Sequence, residues 1–202
     1  MKIIKYKKKD TNRYTLYLED GSIIETYDSV IIQNNLLYKK EITTQLMNKI
    51  NRDNDYQKIY NTCIKYISLR VRSIKEVTDY LNKKNISPEM TNEIIDSLVS
   101  KNILNDNLFT ECYIKDKLKL TNWGKFKIQN NLKELGISND LIDRYDYLFE
   151  TNIEKDKIKK IINKMIKANH KDNINLRNKI YTNLMNLGYE RDLILEEINN
   201  NF

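Results

Sequence analysis

Apolar and polar residues alternate with period two over Lys2–Lys8 and Arg13–Leu18, with Ile3 on one strand and Tyr14, Leu16 and Leu18 on the next sharing faces. Asp20-Gly21 follows, a pair that favours a tight hairpin because both residues tolerate positive φ. Ser22–Tyr27 supplies a return strand. The pattern predicts a small antiparallel sheet of three strands, too small to be stable without helices behind it.

From Val30 the spacing becomes helical. It predicts a helix over Val30–Leu36 and another from Thr43 towards Arg52. Tyr56, Tyr60, Cys63 and Ile67 then form one apolar stripe on a helix that stops near Arg72, with the tyrosines read as core residues. Ser73-Ile74-Lys75-Glu76 has the form of a capping box: the Ser73 hydroxyl accepts from the Glu76 N–H, and the Glu76 carboxylate reaches back. The helix so begun carries Val77, Tyr80 and Leu81. Ser87-Pro88 opens the next, with Ser as N-cap and Pro where its missing N–H costs nothing. Met90, Ile94, Ile95 and Leu98 form its inner face.

An internal repeat organises the rest. LNKKNISPEM begins at Leu81, LKELGISNDL at Leu132 and LMNLGYERDL at Leu184, offsets of 51 and 52 residues. Asn85, Gly136 and Gly188 share a register where a helix must end in the left-handed conformation, which Asn and Gly tolerate. Ile86, Ile137 and Tyr189 fold back over that end, and Met90, Leu141 and Leu193 start the next stripe. The expected fold is mainly α: tandem three-helix repeats over 54–102, 105–149 and 152–201, preceded by a β-sheet and short helices over 1–53. In the third repeat Ile158, Ile161, Ile162, Met165 and Ile166 make the leading stripe, and Asn173–Leu187 the middle helix. Repeats of this size have marginal cores, so successive units are expected to stack into an elongated, curved array whose surface suits a large partner.

Composition agrees with helices: one Pro and four Gly in 202 residues leave few turn-makers for an all-β fold. The net charge is +7. The abundance of Asn, Ile, Lys and Tyr has the look of an A/T-rich genome, and the basic excess is spread along the chain, so charge alone makes nucleic-acid contact plausible and no more. No apolar run approaches the ~18 residues of a membrane span, and the N-terminus lacks the apolar core of a signal peptide. Cys63 and Cys112 have no metal-ligand spacing and fit a reducing cytosol. The protein is expected to be cytoplasmic.

Candidate chemistry is sparse. His170, the only histidine, is flanked by Asn169 and Lys171 and reads as a surface residue. No GxxxxGK[ST], GxGxxG or GxSxG is present. Asp140, Asp143 and Asp146 share a predicted helix face, read as solvated in preference to metal-binding. Trp123 is read as a core cap. No catalytic or metal site is predicted. Basic residues recur near the start of each middle helix: Arg70, Arg72 and Lys75, then Lys125 and Lys127, then Arg177 and Lys179. Spaced along an array, such residues can follow a phosphate backbone.

Tyr66-Ile67-Ser68-Leu69-Arg70-Val71-Arg72-Ser73-Ile74-Lys75-Glu76-Val77, leading to Tyr80-Leu81, resembles the RecX family. So do Ile103-Leu104-Asn105-Asp106-Asn107-Leu108-Phe109 with Tyr113, and Gly124-Lys125-Phe126-Lys127-Ile128 followed by Leu132 and Leu135-Gly136-Ile137. The likeness covers most of 54–136. Asn105 stands where the family pattern has an acid, and Thr110 where it has Ala; both positions are read as structural, an N-cap and a packing site.

What the resemblance implies is a non-catalytic negative modulator of the RecA recombinase. Such a protein lodges in the groove of the RecA–single-stranded-DNA filament and limits filament extension, strand exchange and coprotease activity. Homologous recombination, DNA repair and the SOS response are the implied setting. The implied partners are the RecA filament and single-stranded DNA, met directly or through RecA. No cofactor or membrane is implied, and the protein is expected to be a monomer. Arg70, Arg72, Lys75, Lys125, Lys127, Arg177 and Lys179 are the expected filament or DNA contacts. The residues alone leave two other readings open: a generic single-stranded nucleic-acid binder, and a protein-interaction scaffold.

Overall fold

The computed structural model describes residues 1–39, 41–168 and 174–201. His170 and its neighbours Asn169 and Lys171 lie outside the described residues. The three expected strands form: β1 Ile3–Lys8, β2 Arg13–Leu18 and β3 Ile23–Tyr27, antiparallel in the order β1-β2-β3. At the hairpin only Gly21 takes a positive φ, +84°, whereas Asp20 does not. The Asp20 carboxylate instead fixes the turn by accepting from the Ser22 N–H at 3.0 Å and the Ser22 hydroxyl at 2.6 Å.

Helix α1 covers Asp28–Gln33, displaced towards the N-terminus from the expected Val30–Leu36. Asn35 ends it in the left-handed region at φ 53°, and the chain passes through buried Leu36 into α2, Thr44–Ser68. This single helix of 25 residues replaces the two expected, one from Thr43 towards Arg52 and one carrying the Tyr56 stripe to near Arg72, and it ends earlier, at Ser68. Asn51, Asp53, Asn54 and Asp55 are poor helix formers, but tertiary hydrogen bonds hold the segment. Asn54 Oδ1 accepts from the Thr26 hydroxyl at 2.8 Å, Asp53 Oδ2 from Asn34 Nδ2 at 2.7 Å, and Gln57 Oε1 from the Ser29 hydroxyl at 2.9 Å. Thr26 and Asn34 are buried, and a buried polar group without a partner is costly. The helix therefore runs unbroken across position 53, where the β-containing segment was expected to end.

Chain contacts group residues 1–70 with 86–96 as one compact unit, and residues 71–85 with 97–202 as another. In the first, Leu16, Leu18 and Ile24 from the inner sheet face pack with Val30, Ile31, Leu36, Ile42 and Ile50. Tyr56 and Tyr60, expected in the core, are half-buried with stacked rings 6.0 Å apart. Cys63 is the fully buried member of that stripe.

The helices that follow are α3 Ile74–Asn82, α4 Pro88–Ser100, α5 Asp106–Leu120, α6 Lys125–Glu134, α7 Asn139–Asp143, a 3-10 turn over Asp146–Leu148, α8 Thr151–Ala168, α9 Ile174–Asn186 and α10 Arg191–Asn199. Within the second unit, α5, α6 and α7 share a core of Phe109, Ile114, Ile128, Leu132, Ile137 and Ile142. Helices α8, α9 and α10 share another, which includes Ile158, Ile162, Ile180, Leu184, Tyr189 and Ile194. The helix expected to carry Asp140, Asp143 and Asp146 is broken: α7 ends at Asp143 and Asp146 opens the 3-10 turn.

The repeat register is realised in the backbone. Asn85, Gly136 and Gly188 have φ of 56°, 85° and 81°. The Ile137 N–H donates to Leu132 O at 3.0 Å and the Tyr189 N–H to Leu184 O at 3.3 Å, the crossing bonds that close a helix C-terminus. Ile137 and Tyr189 are buried as the fold-back reading requires, while Ile86 is half-buried.

Candidate functional site

The start of each middle helix is a helix N-terminus, with N–H groups that the helix itself cannot satisfy. At α3 the capping box is complete: the Ser73 hydroxyl accepts from the Glu76 N–H at 3.1 Å, and Glu76 Oε2 accepts from the Ser73 N–H at 3.1 Å. Two further bonds leave the helix. The Ser73 hydroxyl donates to Leu135 O at 2.8 Å, and the Ile74 N–H donates to Asp106 Oδ1 at 2.9 Å. The second repeat thus meets the α3 entrance with a carbonyl from the end of α6 and a carboxylate from the first turn of α5.

One repeat later the same arrangement returns. Gly124 is the N-cap of α6, and its N–H donates to Leu187 O at 2.8 Å; the Phe126 N–H donates to Gly188 O at 3.0 Å. The Lys125 N–H donates to Glu154 Oε1 at 2.9 Å. Leu187 takes the part of Leu135, and Glu154, in the first turn of α8, that of Asp106. Both carboxylates lie at a positive helix end, which favours the anion. Burial opposes ionisation and pushes both carboxyl groups above the ordinary range, with the donated N–H pulling each partly back. For Glu154 the charges of Lys125 and Lys157 also pull downward.

Lys157 and Tyr189 complete the second junction. The Lys157 ammonium donates to Leu118 O and, at 3.3 Å, to Thr121 O, which satisfies carbonyls at the end of α5. Burial holds its pKa below the usual lysine value. The Tyr189 hydroxyl donates to Asn122 O at 3.0 Å, and burial followed by the Glu154 charge pushes that phenol upward.

The expected basic residues divide by environment. The Arg72 side chain, 13% exposed, pairs with Glu76 at 3.3 Å and so supports the capping box. Lys125 Nζ lies 2.7 Å from Asp146 Oδ2, and Lys127 Nζ donates to Asn186 O at 3.2 Å, a carbonyl at the end of α9. These three act within the chain. Lys75 is half-exposed, with Nζ 2.6 Å from Asp79 and its stem against Gly136. Arg70 and Arg177 are exposed, Arg177 donating to Asn199 Oδ1 at 2.8 Å. Lys179 is exposed and lines an open hollow of about 550 Å³ with Asn178, Thr182, Asn183 and Asn186 of α9.

The basic residues do not share one register. Relative to the N-caps Ser73 and Gly124, Arg72 precedes its cap and Lys75 sits second in α3, whereas Lys125 and Lys127 sit first and third in α6. Trp123 is half-buried against the second-repeat core, with the ammonium groups of Lys117 and Lys127 at 4.7 and 5.1 Å from its ring. Asp140, Asp143 and Asp146 are exposed, Asp146 serving Lys125. Among the described residues, no group of three His, Cys, Asp or Glu side chains could hold a metal ion, and no helix is long and apolar enough to cross a membrane.

Sequence reasoning missed Asp106, Glu154 and Lys157. An acid in the first turn of α5 and of α8 was the available signal, but its partner lies some thirty residues upstream: 32 for Asp106 and 29 for Glu154. The two positions at which the chain departs from the family pattern behave structurally. Asn105 caps α5, accepting from Asn107 and Leu108 N–H groups at 2.9 and 3.1 Å. Thr110 is buried with its hydroxyl donating to Asp106 O at 2.7 Å.

Residues 60–98 match the family model for the first three-helix domain of RecX, and residues 105–145 that for the second. The regulatory protein RecX of Oceanobacillus iheyensis is 28% identical over 194 residues, spanning 93% of this chain and 71% of that protein. The regulatory protein RecX of Listeria innocua is 29% identical over 191 residues, spanning 94% and 71%. A crystal structure of a regulatory protein RecX shares the fold, with a TM-score of 0.86 at 21% identity over 98% of both chains. The crystal structure of RecX from Lactobacillus salivarius superposes with a TM-score of 0.66 at 27% identity, over 73% of this chain and 97% of that one. With both three-helix domains matched in order and relatives aligned along nearly the whole sequence, the chain belongs to the RecX family.

Proposed function

We propose that this protein is a negative modulator of a RecA-type recombinase, a monomer that binds in the groove of the RecA–single-stranded-DNA filament and limits filament extension, strand exchange and coprotease activity. The observation that carries the reading is the recurrence of one junction, Ser73–Leu135 with Ile74–Asp106 and then Gly124–Leu187 with Lys125–Glu154. Middle helices α3 and α6, each closed in the same way by the repeat that follows, suit a partner that is itself periodic, because contacts made by one repeat raise the effective concentration of the next. The name regulatory protein RecX, borne by the relatives, supports a regulatory role.

Arg70, Lys75, Arg177 and Lys179 are the proposed contacts to filament or DNA. Arg72, Lys125 and Lys127 are assigned to the interior of the repeats and their junctions. The test is a RecA ATPase and strand-exchange assay on preformed filaments with substoichiometric protein. Loss of both activities is expected, and no effect at any ratio would overturn the reading. The α9 hollow favours a second reading, direct binding of single-stranded nucleic acid. It offers Lys179 among uncharged hydrogen-bonding side chains. Association that is equally tight with and without RecA would favour it.

A further inference from the structure

The outer face of the N-terminal sheet belongs to none of the repeats. Strand pairing sets Lys5 beside Tyr17 and Tyr17 beside Ile23, and sets Lys7 beside Thr15 and Thr15 beside Glu25. These residues alternate with Leu16, Leu18, Ile24 and Thr26, which face inward and are buried. Within this chain the outer face is open: Lys5, Lys7 and Glu25 are exposed, and Ile23 is 58% exposed although it is a large aliphatic residue.

Charge on this face is one-sided. The first nine residues hold five lysines and no acid. Glu25, the acid on the outer rows, is taken by Lys9, and Asp10 by Arg13 at 2.6 Å. Among the described residues Lys5 and Lys7, on the outer rows, have no ion-pair partner. Some helix-borne lysines pair with an acid one turn away, as Lys75 does with Asp79 and Lys115 with Glu111. Lys5 and Lys7 stand about 7 Å apart along the strand, and the Lys5 ammonium lies 5.9 Å from the Tyr17 ring centroid. Cations in file beside a half-exposed aromatic ring and an exposed aliphatic side chain match a chain of phosphates carrying flat bases.

We propose that the outer face of β1-β2-β3 is a single-stranded nucleic-acid contact, with Lys5 and Lys7 on the phosphates and Tyr17 as a stacking platform for a base. The proposal does not rest on the RecA reading, since it requires nucleic acid alone. The probe is a labelled oligothymidylate, titrated into the full chain across a salt series without RecA.

The wild type binds, and its log affinity falls linearly with log salt. Lys5→Ala with Lys7→Ala reduces the steepness by about 1.4, at ~0.7 per phosphate contact on a single strand. Tyr17→Leu weakens binding at least about fivefold at unchanged slope. A thermal midpoint equal to wild type certifies the fold of each variant; Lys5→Gln with Lys7→Gln substitutes if the first pair falls short. An unchanged slope in a folded double variant overturns the proposal. So does normal oligonucleotide binding accompanied by lost association with RecA, which would make the face a site for an acidic protein surface. A wild type that leaves RecA activities untouched but shows the Lys5- and Lys7-dependent slope sinks the RecA reading and leaves this one standing.

Discussion

Gly124 and Gly188 meet backbone to backbone: a Cβ on Gly124 would lie 2.6 Å from the Gly188 carbonyl oxygen and 2.7 Å from the Tyr189 nitrogen. The second junction closes over that absence of side chains. Gly188 adds a left-handed φ of 81°, and its own Cβ would press on Lys127, at 2.5 Å from Cβ and 2.9 Å from Cα. The corresponding Gly136 would press only on Lys75 Cβ and the flexible stem beyond it. Both Gly→Ala changes carry ~1–2 kcal/mol of left-handed strain. Gly188→Ala adds an overpacking cost of ~1–3 kcal/mol against fixed backbone. Urea denaturation should therefore rank Gly188→Ala well below Gly136→Ala in stability, and equal losses would contradict the close approach.

Removing the Glu154 acceptor deprives the half-buried Lys125 N–H of its partner, so Glu154→Ala is expected to cost ~1–3 kcal/mol, with Glu154→Gln recovering part through its amide oxygen. The pH dependence has a defined sign. Because the folded-state pKa of Glu154 is raised, the folded protein holds more protons than the unfolded chain between the ordinary glutamate value and the raised one. Stability falls as pH rises through that window and is greatest below it. Glu154→Gln should flatten the slope there, with the residue of it belonging to Asp106, which is shifted the same way. Unfolding free energies measured across mildly acidic pH decide the matter.

Ser73→Ala removes both an N-cap acceptor and the donor to Leu135 O. A loss of ~1–2 kcal/mol is expected. Arg72→Ala should also lower the thermal midpoint, because Arg72 steadies the Glu76 half of the same box, while the salt dependence of filament binding stays as in wild type. A changed salt slope with an unchanged midpoint would return Arg72 to the contact surface.

Arg177→Ala with Lys179→Ala should weaken filament binding and reduce its salt slope by about 1.4, if both residues meet single-strand phosphates. Their exposure predicts a thermal midpoint close to wild type.

The two thiols should differ in reactivity. Cys63 is fully buried and its pKa is pushed up to about 11 by burial, whereas Cys112 is half-buried. Since the thiolate is the reactive form, iodoacetamide under native conditions should label Cys112 first. Equal labelling would mean that α2 opens around Cys63.

Legibility of the fold followed the range of the interactions. The capping box at Ser73, the left-handed ends at Asn85, Gly136 and Gly188, and the strand alternation through Leu16 and Leu18 are set by residues a few positions apart, and each could be read in order. The α2 segment around Asp53 and Asn54 reads locally as a break. It is helical because Thr26, Ser29 and Asn34 bond to it from 19–28 residues away. The basic candidates were legible as a recurring charge. Their division between junction and exposed surface was not, because Asp146 and Asn186, the partners of Lys125 and Lys127, lie 21 and 59 residues downstream.

Where the α3 and α6 entrances donate to the following repeat, the donor comes earlier in the chain than its acceptor. On the ribosome the Ile74 N–H emerges 32 residues before Asp106, the Ser73 hydroxyl 62 before Leu135, and Lys125 29 before Glu154. A nascent middle helix must wait, with its first turn hydrated, until the following repeat arrives to close it. Synthesis of each new unit thereby completes the one before it, and maturation of the array travels in the wake of translation.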